Sequence, residues 1–176
     1  LWVVPAAGGE PQSLTHLDGT ELGHRWPAFT PDGRHVVFTT LGSGPRNTHI
    51  DVVLRASGQR QRLRDGGAGG RVLGSGHLAF LDSFYSRLAA VAIDLGSLET
   101  MATATPLIEG VSTAPSQSYA ISRNGTLAYV AAGPGNRENR VVRVGLDGSV
   151  ATLVERGGSW YQPRVSPDGR RLVVRE

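Results

Sequence analysis

Two stretches of this chain set a hydroxyl, a proline, a carboxylate and a glycine in a row: Thr30-Pro31-Asp32-Gly33 and Ser166-Pro167-Asp168-Gly169. Read as chemistry, they offer a pair of carboxylates for acid/base work and two proline-directed hydroxyls for phosphorylation. A general acid and a general base must converge on one bond. These two aspartates instead occupy equivalent contexts, because Pro27, Phe29, Arg34, Val36 and Phe38 around the first correspond to Pro163, Val165, Arg170, Leu172 and Val174 around the second. Equivalent positions of a repeat are distributed around it, so both tetrads are expected to be turns.

The other candidate chemistries fail on residue type or spacing. All 18 basic residues are Arg, which removes the phosphate-loop Lys, the kinase strand Lys, the Schiff-base Lys and the Ser-Lys dyad from this stretch. The chain has no Cys, hence no thiol catalysis, disulfide or Cys-based zinc site. His16, His24, His35, His49 and His77 show no metal-binding spacing, so no metal and no cofactor is expected. "GGSWY" at 157–161 lacks the final Gly of a nucleophile elbow. "GGAGG" at 66–70 lacks the strand-to-helix context of a dinucleotide loop and reads as a flexible inter-blade linker. Asn124-Gly125-Thr126 matches a glycosylation acceptor but coincides with a predicted turn. The sequence pI near 9.9 invites a nucleic-acid partner. Yet Arg60, Arg62 and Arg64 alternate with Gln61 and Leu63 as on the solvated face of an edge strand, and no aromatics interleave to stack bases. No nucleic-acid partner is expected. The longest apolar run, "LAAVAI" at 88–93, is too short to span a bilayer.

The repeat has further copies. "SYAISRNGTLAYV" at 118–130 places Asn124-Gly125 at the turn, and "GRVLGSGHLAFLD" at 70–82 places Ser75-Gly76 there. Turns at 32, 75, 124 and 168 are spaced by 43, 49 and 44 residues, the period of four-stranded propeller blades. Second turns at Ser57-Gly58, Gly96-Ser97 and Asp147-Gly148 separate the last two strands of each blade. The predicted fold is therefore all-β: a β-propeller with four-stranded antiparallel blades at 24–65, 70–109 and 117–156, and half blades at 1–17 and 159–176. The two halves either close a four-bladed ring or belong to a larger propeller. The latter is the expectation, with the chain a marginal or association-prone piece of a longer polypeptide.

"WPAFTPDGRHVVF", "YQPRVSPDGRRLVV" and "LWVVPAAGGEPQSLT" resemble the TolB-like, WD40-like propeller repeats of bacteria. "GHLAFLDSFYSRLAAVAIDLGSLETMATATPLIEGV" with "VVRVGLDGSVATLV" is similar to the propeller appended to bacterial serine/threonine protein kinases. That resemblance implies an interaction or sensing module, a protein, peptide or small-ligand partner, and a periplasmic or extracytoplasmic setting. It implies no activity for this chain, since no Gly-rich loop before a Lys strand, His-Arg-Asp or Asp-Phe-Gly is present. Similar propellers also occur in TolB itself and before the hydrolase domain of prolyl-oligopeptidase-type peptidases.

If the Asp-Gly turns mark one rim, binding belongs to the opposite one, where longer loops carry recognition residues. The candidates are Arg46, Asn47 and His49; Tyr85 and Arg87; Asn136, Arg137 and Asn139; and Tyr161. Trp26 and Trp160 are expected to pack between blades. Pro31, Asp32, Gly33, Asn124, Gly125, Pro167, Asp168 and Gly169 are assigned to structural turns.

Overall fold

The computed structural model of the chain describes residues 1–44, 47–82, 86–101, 103–112, 118–132, 139–145, 148–158 and 160–175. They form strands throughout, β1 (Trp2–Val3) to β17 (Leu172–Arg175), divided between two compact units. No described helix is long and apolar enough to cross a membrane.

The first unit comprises residues 1–84 and 89–105. It holds the hairpin β1–β2 (Gln12–Ser13) and a four-stranded sheet in the order β3 (Gly23–Phe29), β4 (His35–Leu41), β5 (His49–Leu54), β6 (Arg60–Asp65). A second sheet runs through β7 (Ala68–Val72), β8 (His77–Asp82), β9 (Arg87–Asp94) and β10 (Glu99–Thr100). In the first sheet chain order equals spatial order and every pairing is antiparallel, as an up-and-down blade requires; in the second, β11 (Thr105–Glu109) also pairs with β9.

The twofold pleat sorts β4 and β5 into two faces. Val37, Ile50 and Val52 point to one side and pack with Val72, Leu78, Phe80, Ala89, Val91 and Ile93 of the second sheet. Val36, Phe38 and Val53 point to the other and pack with Leu1 and Leu14. Six of the seven β4 residues are buried, and the buried hydroxyls among them are paired: Thr39 Oγ1 accepts the Gly69 N–H at 2.8 Å and Thr40 Oγ1 donates to Asp51 Oδ2 at 2.8 Å.

The segment "GGAGG" departs from expectation. It is not a free linker: Ala68 opens β7, and Gly70 lies so close to the first sheet that a Cβ there would meet Ile50 Cγ2 at 2.9 Å and Val37 Cγ1 at 3.1 Å. Glycine there admits the close packing of two sheets.

The second unit, 85–88 with 106–176, holds β12 (Tyr119–Ile121), β13 (Leu127–Ala131), β14 (Asn139–Val144) and β15 (Val150–Gly158) in one sheet. The hairpin β16 (Tyr161–Val165) with β17 follows, and β16 packs beside β12 and β13. Tyr119, Val111, Val130 and Val141 are fully or almost fully buried there. Trp160 is buried as expected of a packing residue, whereas Trp26 in the first unit is half-buried.

The four turns repeat in detail. Gly33, Gly76, Gly125 and Gly169 all have φ between 68° and 86°, the left-handed region that a side chain penalises. Each donates its N–H to the carbonyl three residues back: Thr30, Leu73, Ser122 and Ser166. A second repeated feature lies six residues before the turn aspartate. Trp26, Gly69 and Gln162 have φ of 54°, 65° and 53°, each at a register shift in the first strand of its sheet. The first strands of these three sheets are therefore bulged at the same place, and two of the three bulges use a non-glycine residue before proline.

Candidate binding site

The turn carboxylates are absorbed by their turns. Thr30 Oγ1 donates to Asp32 Oδ1 at 2.5 Å, which also accepts the Arg34 N–H at 3.0 Å. Ser166 Oγ and the Arg170 N–H repeat this on Asp168 at 2.5 and 3.1 Å. Those hydroxyl bonds hold both carboxyls below the usual range, so both are ionised acceptors. Asn124 takes the same place in its copy, accepting from the Ser122 hydroxyl, and its Nδ2 donates to the Asp168 carbonyl at 3.1 Å. The amide of Asn124, assigned to a turn from the sequence, thus ties two turns together.

A different set of charges gathers on the Phe38 face of the first sheet. The pleat carries Thr40 to that face with Phe38, and Asp51 with Val53. Arg60, paired with Val53 across β5–β6, follows them inward. Its Nε donates to Asp51 Oδ2 at 2.7 Å, Nη1 to Glu21 Oε2 at 3.0 Å and Nη2 to Thr40 Oγ1 at 3.1 Å, and Nη2 also contacts Glu21 Oε1. The guanidinium carbon lies 5.6 Å from the centroid of Phe38. Thr40 Oγ1 donates to Asp51 Oδ2 at 2.8 Å.

Glu21 reaches this place because Asp18 folds the segment before β3. Asp18 Oδ1 accepts the Thr20 N–H at 2.9 Å and its hydroxyl at 2.7 Å, and the Asp18 N–H donates to Glu21 Oε2 at 3.1 Å. Arg60 beside Glu21 depresses its carboxyl to about 2 against the opposing cost of burial. Burial lowers the His24 imidazole, so His24 is neutral at physiological pH. Its Nε2 then donates to Glu21 Oε2 at 3.0 Å, leaving Nδ1 to accept from Thr15 Oγ1 at 2.8 Å.

Donor atoms of Glu21, His49 and Asp51 lie within 4.8 Å of one another, close enough to surround a metal ion. The chain's own cations already serve them, however. Arg60 spans Glu21 and Asp51, and His49 Nε2 accepts from Arg62 Nη2 at 3.1 Å. The arrangement is an ion network held by the chain's own arginines and does not fit a metal centre.

Against this network opens a recess of about 250 Å³, lined among others by Asp18, Glu21, Asn47, His49, Arg62 and Asp65. Asn47 and His49 are thus brought together. His49 belongs to β5 and not to a loop, and its side chain is only 10% exposed. In the second unit Tyr161 opens β16 and is half-buried; Arg87, half-buried, opens β9. Asn139 begins β14, opposite Gly158. Arg46, Tyr85, Asn136 and Arg137 lie outside the described residues.

The Arg series corrects the expectation of a solvated face. Only Arg62 projects substantially, at 55% exposed; Arg60 is inserted into the carboxylates, and the Arg64 guanidinium lies 4.4 Å from the centroid of Phe80. Glu21, Asp51 and Arg60 were not among the expected site residues. One signal for them existed: an aspartate between Ile50 and Val52 of "HIDVVL" requires a buried partner.

No family model matches this sequence, and no curated protein matches it. Solved structures do match. The chain is similar to TolB from Acinetobacter baumannii, with a TM-score of 0.71 at 16% identity over 98% of this chain and 42% of that one. It is also similar to the calcium-binding protein regucalcin from Agrobacterium tumefaciens, TM-score 0.67 at 19% identity over 98% and 60%. A third similarity is to an oligogalacturonate lyase in complex with manganese, TM-score 0.56 at 12% identity over 91% and 48%. At such identities the likeness establishes the fold alone. The architecture is that of a β-propeller, and the chain spans between 42% and 60% of the length of these three proteins.

Proposed function

We propose that this chain is a non-catalytic propeller module that binds a protein, peptide or small ligand, serving as the sensing end of a bacterial serine/threonine kinase. The observation that carries the binding reading is a small polar recess that opens against a buried ion network. Glu21, the most buried carboxylate lining it, has its oxygens taken by Arg60, His24 and the Asp18 N–H, so it lacks a free proton site for general acid or base work. Likeness to TolB favours a second form of the same reading, a periplasmic interaction propeller with no kinase attached.

Two measurements test it. The purified 176-residue chain, incubated with kinase, esterase, lactonase and pectate-lyase substrates, is expected to show no turnover, while an array of random short peptides is expected to show saturable binding. Robust turnover, or an array without any saturable binder, overturns the reading. The parent is settled by the flanking reading frame. An upstream His-Arg-Asp and Asp-Phe-Gly identifies the kinase, and a downstream Gly-x-Ser-x-Gly identifies a peptidase whose propeller gates substrate.

A further inference from the structure

We propose that the recess beside Asn47 and His49 takes the basic end of a peptide side chain, with Asp65 and Asp18 at its wall and Asp51 behind it. The inference rests on the binding-module reading and names the chemistry of what is bound.

The first observation is charge. Among the named lining residues three carboxylates, Asp18, Glu21 and Asp65, face one guanidinium, Arg62, so the recess is electronegative. The second is independent of it. Asp51 Oδ1 is buried without a hydrogen-bond partner, in a side chain only 2% exposed. Arg62 Nε approaches that oxygen only to 4.0 Å, beyond hydrogen-bond reach. A buried carboxylate oxygen left unpaired costs free energy that an incoming donor recovers.

Arg62 explains how the oxygen is reached. It is half-exposed and held by long-stemmed contacts, Nη1 to Asp65 Oδ1 at 3.0 Å and Nη2 to His49 Nε2 at 3.1 Å. Arg62 lines the recess while Asp51 does not, and Arg62 Nε faces Asp51 Oδ1 at 4.0 Å, so in this proposal Arg62 is an internal placeholder for a ligand cation. A ligand guanidinium or ammonium swings it outward and takes over Asp65 and Asp51 Oδ1. The network already shows this chemistry within the chain, since Arg60 is held between Glu21 and Asp51 on the inner side. The volume fits one side-chain end: about 250 Å³ lies below the ~300–1,000 Å³ of pockets that engulf whole small molecules.

The test titrates the 176-residue chain with N-acetyl-arginine methylamide and with its neutral isostere N-acetyl-citrulline methylamide, followed by amide NMR shifts. Saturable shifts at Asn47, His49 and Asp65 are expected for arginine, with citrulline weaker by roughly tenfold or more. Asp65→Asn, at a side chain 84% exposed and so harmless to folding, is expected to weaken arginine binding several-fold. Arg62→Gln is expected to strengthen it. Equal binding of the two amides, loss of binding in Arg62→Gln, or tighter binding of calcium or manganese chloride at the same residues overturns the proposal. If the peptide array instead returns binders that share no basic residue, this inference falls while the binding module stands. An array without binders removes both.

Discussion

The chain carries two kinds of carboxylate, and they differ in what surrounds them. Asp32 and Asp168 sit in repeated turns, exposed, each accepting a hydroxyl and a backbone N–H from residues two positions away. Glu21 and Asp51 sit on one blade face, buried, and share a guanidinium that comes from as far as 39 residues along the chain. The turn carboxylates belong to the repeat, where Ser75 and Asn124 take their place in the other two copies. The buried pair belongs to the first blade alone, since Glu21, Asp51 and Arg60 all come from that blade and the segment leading into it.

The sharpest way to break the comparison is Arg60→Met. It leaves Glu21 and Asp51, 5% and 2% exposed, facing each other without their cation. Removing one partner of a buried ion pair costs about 3–5 kcal/mol. Chemical denaturation is expected to show a loss of that order; a loss near zero would mean that the network is solvated and the two kinds of carboxylate are alike.

Acid sharpens the same contrast without mutation. The Glu21 carboxyl is depressed from 4.5 to about 2 in the folded chain, so the folded state holds its proton less tightly than the unfolded state. The resulting stability is present above pH 4.5 and is lost as pH falls through the window from 4.5 to about 2. The amount is up to ~3 kcal/mol for one group. Arg60→Met is expected to flatten this acid dependence as well as lower stability, because Arg60 is the leading cause of the depression. An unchanged pH profile in the variant would assign the acid sensitivity elsewhere.

The turns were legible in the sequence because their chemistry is local. A proline, an aspartate and a glycine in order specify φ and a hydrogen-bond acceptor within four residues, and the two such copies with Ser75-Gly76 and Asn124-Gly125 between them, 43 to 49 residues apart, gave the blade spacing. The bulges at Trp26 and Gln162 were not, since a left-handed residue before proline violates local preference and is imposed by the sheet around it. "GGAGG" misled for a related reason. Glycine runs signal flexibility, yet Gly70 is small because Val37 and Ile50 approach it. The arginine series misled because alternation reports which face a residue takes and not whether that face meets water. Asn47 and His49 were found as candidates by composition, but Glu21, Asp51 and Arg60 depend on strand register, which a single sequence does not state.

The smallest expected effect separates two copies of one turn. Thr30 and Ser166 do the same work: each hydroxyl donates to its aspartate and accepts a backbone N–H, from His35 at 3.1 Å and from Arg171 at 2.9 Å. Thr30 is 3% exposed, whereas Ser166 is half-buried and the Arg171 N–H lies at an exposed turn. Thr30→Ala strands the His35 N–H away from water, a cost of about 1–3 kcal/mol, while in Ser166→Ala water replaces the lost acceptor and the cost falls toward ~0.5 kcal/mol. Thermal midpoints of the two variants are therefore expected to separate, with the first lower. Equal midpoints would show that the repeated tetrad acts through backbone conformation alone, its hydroxyl being dispensable wherever glycine supplies the turn.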